Sequence, residues 1–107
     1  MENQKLTPEI IDALKTEHGE ISQIEGIEHD VVIKAPTPAQ YRRFMDLSSD
    51  MKKREKAKDA LLGDCVVFPE TAAFAELTDA KPGYRETITN VILELSGIVQ
   101  DATAKKL

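Results

Sequence analysis

The sequence predicts an α+β fold, mainly helical, with a short N-terminal helix, a two-stranded β-hairpin and then four helices in a compact single domain. Three observations predict it. Residues Glu20 to Ala35 are rich in β-branched side chains without helical spacing. From Tyr84 to Leu95 apolar residues recur three and four apart. Between them the densest apolar run, Leu61 to Pro69, ends at a proline that forces Phe68 out of the α region.

Taken in order, Thr7-Pro8-Glu9 opens a helix over 8–18, with Thr as cap, Pro at the first helical position and an acid where the dipole favours it. Ile10, Ile11 and Leu14 form its apolar stripe, and Gly19 is the expected terminator. The hairpin occupies 20–35: Val31-Val32-Ile33 is the strong strand, Ile21 to Ile24 the weaker one, and Glu25-Gly26 the turn. Such a hairpin is marginal in water and needs cover or another strand at its edge, which points to self-association.

Pro36-Thr37-Pro38 restarts a helix over 38–48, burying Tyr41, Phe44, Met45 and Ser48 and leaving Arg42 and Arg43 outward. Ser48-Ser49-Asp50 breaks it. The central helix is expected over 51–67, with Ala57, Leu61 and Cys65 four apart and Ala60 and Phe68 flanking that row. Gly63 inside it costs about 1 kcal/mol relative to Ala and suggests close approach of a neighbouring backbone. A helix over 70–78 turns Ala73, Phe74 and Leu77 inward, and Asp79 to Gly83 is a turn. The last helix, 83–96, buries Tyr84, Ile88, Val91, Ile92 and Leu95; Ser96-Gly97 caps it, Ile98 and Val99 either continue the stripe or pack back, and the tail 101–107 is loose.

With 107 residues, 41% hydrophobic and 31% charged, the chain is one domain, 1–107, with a mainly aliphatic core, since it holds no Trp and only two Tyr and three Phe. The first residues carry no apolar leader, and no stretch approaches the roughly 18 to 20 apolar residues that span a bilayer, so a cytoplasmic protein without membrane association is expected. One cysteine allows no internal disulfide. The net charge of −5 opposes nucleic-acid binding, and no aromatic residues interleave the bases. Charge is unevenly spread: Met1 to Asp30 has eight acids and two bases, whereas Arg42 to Lys58 has seven bases and three acids. Such asymmetry is either a solvated surface or a means for the acidic end of one copy to meet the basic segment of another.

Catalytic chemistry finds no support in the residues. Cys65 lies on the buried face of a helix, where cysteine behaves as a small hydrophobe, and His18 and His29 are far from it in sequence. Two histidines eleven apart and one cysteine match no common metal-ligand spacing. Glu17 and Glu20 read as solvated surface, and the five scattered glycines build no phosphate loop, so neither catalysis nor a cofactor is expected.

The order of motifs Val-Val-Ile-Lys-Ala-Pro-Thr-Pro-Ala-Gln-Tyr-Arg-Arg-Phe (Val31 to Phe44), Asp-Cys-Val-Val-Phe-Pro (Asp64 to Pro69), a Lys-Pro-Gly turn and a final helix ending Leu-Ser-Gly (Leu95 to Gly97) resembles the small tail assembly chaperones of long-tailed bacteriophages. The likeness spans Glu20 to Gly97. It implies a cytoplasmic helper that holds the long helical tape measure protein while tail tube subunits assemble around it. The family often makes a longer form by ribosomal frameshifting, and Ala104-Lys105-Lys106-Leu107 is compatible with a slippery run of adenines. The resemblance assigns no binding residues. Physical reasoning nominates the basic segment, Arg42, Arg43, Lys52, Lys53, Arg54 and Lys56, and the hairpin edge near Val32 as the surfaces that meet partners or further copies. The rival reading is a small adaptor, tail completion or regulatory protein of a mobile element, such as an antitoxin, which would bind its partner once and not in many copies.

Overall fold

In the computed structural model, which describes residues 5–98 and 102–107, local capping chemistry sets where the helices start. The Thr7 hydroxyl accepts from the Ile10 amide (3.3 Å) at the head of α1, Pro8–His18, and Gly19 at φ +79° ends it, donating to the Lys15 carbonyl. A reciprocal pair opens α2, Pro38–Ser48: Gln40 N–H donates to Thr37 Oγ1 (3.1 Å) and Thr37 N–H donates to Gln40 Oε1 (2.9 Å). Asp50 then accepts from the Lys52 amide and starts a 3₁₀ turn, Met51–Lys53, which runs into α3, Arg54–Cys65. Two further helices follow, α4, Thr71–Ala80, and α5, Gly83–Leu95. At the end of α5, Gly97 adopts φ +99° and the Ile98 amide folds back on the Leu93 carbonyl (3.3 Å). Val99 and Asp101, for which the sequence suggested a stripe extension and the start of a loose tail, lie outside the described residues; 102–107 are exposed and without regular structure.

The chain is α+β and mainly helical, as expected, but the sheet has three strands where two were expected. β1, Ser22–Gln23, pairs antiparallel with β2, Val32–Ile33, and β2 pairs antiparallel with β3, Val66–Phe68. The helix expected over 51–67 is therefore shorter at both ends. At Val66 the backbone turns extended (φ −80°, ψ 117°), because Val66, Val67 and Phe68 are β-branched or aromatic and Pro69 bars the α region to the residue before it. The Phe68-Pro69 bond is cis. The limits of α4 and α5 lie within two residues of the expected 70–78 and 83–96.

The core sits where β2, α3 and α5 meet: Val31, Ile33, Leu61, Cys65, Ile88 and Ile92 are wholly or almost wholly buried, with Ile24, Leu62 and Leu77 around them. The expected row Ala57, Leu61, Cys65 is buried along its length. Other expected core positions are less covered. Met45 is 47% exposed, because α2 packs chiefly on one helix, α3, and its seam covers Phe44 while leaving the stripe's edge open. Leu95, 41% exposed, is the last residue of α5 and borders a shallow hollow shared with Glu20, Ser22 and Ala35. The stripe of α1 is half-buried, and α1 contains no buried residue. Among the described residues, no helix is long and apolar enough to cross a membrane.

Candidate protein-binding surfaces

Two features stand out on the surface. The first is an open groove of about 210 Å³ between α3, α4 and α5. Leu62, Val66, Pro69, Phe74 and Ala75 supply its apolar lining, and Asp59 and Arg85 stand at its rim. The lining is a consequence of the β3 turn: once the chain leaves α3 at Cys65 and re-enters a helix at Thr71, Val66 and Pro69 face Phe74 and Ala75 without side chains large enough to close the gap. Gly63 also lines it, and a Cβ built there meets nothing within 4 Å. The close intrachain backbone approach expected at Gly63 is thus absent, and the missing side chain serves to keep the groove open.

Beside the groove, charged pairs lock α5 to α3. Arg85 reaches Asp59 (2.7 Å) and Glu55 (3.0 Å), while Lys58 pairs with Glu86 and, more loosely, with Glu55 (3.6 Å). The Lys58 ammonium titrates above its ordinary value, chiefly through its hydrogen bond to Glu86 and against the opposing effect of desolvation.

The second feature is the elbow between α2 and α3. Lys52, Lys53, Arg54 and Lys56 are exposed there around Met51, which is 77% exposed, and Arg42 is exposed on α2. Arg42, Lys52, Lys53 and Lys56 have no carboxylate partner among the described residues, and Arg54 donates only to the Ser48 carbonyl (3.3 Å). Arg43 differs, since its guanidinium is paired with Asp64 and clasps α2 to α3. Val32 is corrected outright: β2 is the central strand, so Val32 has a paired strand on each side and is 2% exposed, and no open hairpin edge exists there. Sequence reasoning missed the groove, although the helical Gly63, out of phase with the Leu61 and Cys65 row, was a signal for it.

The cysteine and the two histidines are dispersed. Cys65 is fully buried, and its thiol is pushed up to about 11, by burial first and by the Asp64 charge second, with Lys34 pulling the other way. His29 Nδ1 lies 3.2 Å from Tyr84 Oη, and the rings meet edge to face with centroids 5.6 Å apart, tying the β1–β2 loop to α5. His18 lies beside Glu17 on α1 (3.8 Å). No group of three or more His, Cys, Asp or Glu side chains among the described residues is placed to hold a metal ion.

No family model and no curated protein matches the chain. A solved structure does: an uncharacterised protein from Bacillus stearothermophilus is similar over 89% of this chain and 99% of its own, with a TM-score of 0.72 and 22% identity. At that identity the likeness concerns the fold alone.

Proposed function

We propose that the protein is a non-enzymatic tail assembly chaperone of a long-tailed bacteriophage, acting in the host cytoplasm, and that it holds the tape measure protein through the groove between α3, α4 and α5. The observation that carries this reading is the groove itself: it is apolar, open, and widened by a glycine at which a Cβ would meet nothing within 4 Å among the described residues. A long helical client has an apolar stripe that aggregates unless covered, and a groove of this kind covers one or two turns of such a stripe. Many copies along one client then follow from its length. The two stretches that carry the phage resemblance also lie side by side, since Val32 pairs with Phe68 and Ile33 with Val66 across β2 and β3. Burial and the raised pKa of Cys65 support a role without nucleophilic catalysis.

Coexpression with the long helix-rich protein encoded beside it, followed by affinity capture and light scattering, tests the reading. Several copies are expected to copurify with a client that is insoluble alone, and Gly63→Phe, which fills the groove from a position with room for the side chain, is expected to abolish capture while leaving the circular dichroism unchanged. Capture at one copy per partner would favour the adaptor reading. Undiminished capture by Gly63→Phe would remove the groove from the account.

A further inference from the structure

We infer that the basic elbow between α2 and α3 is a docking site for the acidic face of α1 from a second copy of this chain. The elbow presents Lys52, Lys53, Arg54 and Lys56 around the exposed Met51, and none of the four has a carboxylate partner among the described residues. These cations gather where the α3 dipole is positive and where Lys53, at the cap position, makes no side-chain capping bond. That arrangement works against the helix that carries it, and an anionic neighbour relieves it. Arg43, Lys58 and Arg85 are paired with acids across helix contacts, whereas the elbow gathers four cations without such a partner in one short segment.

The complementary surface is α1. At 3.6 residues per turn, Glu9 and Asp12 fall on the face opposite Ile10, Ile11 and Leu14, and Glu17, seven residues after Ile10, stands at the border of that stripe. All three acids are exposed, none pairs with a Lys or Arg among the described residues, and the half-buried apolar stripe holds the helix against its own domain so that the acids point outward. One copy therefore carries a negative surface and a positive one, each unneutralised among the described residues. The net charge of −5 makes copies repel at random orientation, so the matched patches also select the orientation of encounter. Because the two surfaces differ, the contact is heterologous: each docked copy still offers one free elbow or one free α1, and the array can extend.

The test uses the isolated protein and needs no client, so its failure is distinct from failure of the chaperone reading. Sedimentation or light scattering at about 10 mM salt, where charges act over roughly 30 Å, is expected to give a mass that rises with concentration above the 11.9 kDa of one chain. Near 1 M salt, where the screening length is about 3 Å, it is expected to return to one chain. The triple variants Lys52→Glu, Lys53→Glu, Lys56→Glu and Glu9→Lys, Asp12→Lys, Glu17→Lys are each expected to remain single at low salt. Mixing the two restores complementary pairs at every contact, so the mixture is expected to associate again. Unchanged far-ultraviolet circular dichroism in each variant shows that both are folded. A wild-type chain that stays single at low salt overturns the proposal, as does association that either reversal leaves unchanged or that mixing fails to restore.

Discussion

The helices α1 and α5 are of similar length, 11 and 13 residues, and both carry an apolar stripe, yet α5 buries Ile88, Thr89 and Ile92, whereas the stripe of α1 is only half-buried. The difference lies in what each stripe meets. That of α5 lies in the core with Ile33 from the sheet and Leu61 from α3, whereas α1 is fastened at its start by a hydrogen bond from the Leu6 amide to Asp30 Oδ2 (3.0 Å). An apolar stripe is thus necessary for burial and does not ensure it. Burial is concentrated where α5, α3 and the sheet meet, and α1 and the elbow lie outside it.

The largest expected effect tests this division directly. Ile92→Ala should cost about 2–5 kcal/mol in urea unfolding, by lost transfer energy and the cavity it leaves, whereas Leu14→Ala on α1 should cost about 1 kcal/mol. Equal losses would erase the distinction between the two helices. A smaller effect of opposite sign is expected within α5. The hydroxyl of Thr89 is buried without a hydrogen-bond partner among the described residues, so Thr89→Val should stabilise the fold by about 1 kcal/mol. Loss of stability in that variant would show that the hydroxyl is satisfied in solution.

The smallest effect appears only in alkali. Folding holds the Cys65 thiol protonated up to about 11, against an ordinary value of 9.0, and raises the Lys58 pKa above 10.5. In each case the folded state keeps its proton longer than the unfolded state, so the stabilisation is whole below about pH 9 and falls as pH rises through the folded values. Stability measured at pH 10.5 should lie below that at pH 8, and Cys65→Ala should make the decline between 9 and about 11 shallower. A decline of the same slope would assign it entirely to other groups.

The elements that were legible in the sequence are those whose causes are local. Thr37 and Gln40 sit three residues apart and settle the start of α2 between themselves. The row Ala57, Leu61, Cys65 identified the buried face of α3 because helical period alone aligns it. Of the nominated surface, the basic residues of the elbow were readable as exposed, since a segment charged on all sides has no apolar face to bury. Val32 was misread because its exposure depended on a strand more than thirty residues away in sequence.

By itself, then, the sequence determined the helical segments, their caps, the mainly helical α+β class and the division of charge between the first thirty residues and the elbow. Each of these follows from side chains acting within a turn or two of their own backbone, or from composition. Only the tertiary structure decided that Val66–Phe68 would leave the helix and become the third strand, that Val32 would lie at the centre of the sheet, that Arg43 would be taken up by Asp64, and that Gly63 would face an open groove. Those outcomes depend on which distant surfaces meet. A residue pattern records that a face is apolar or charged, but its partner is chosen by how all the elements pack at once.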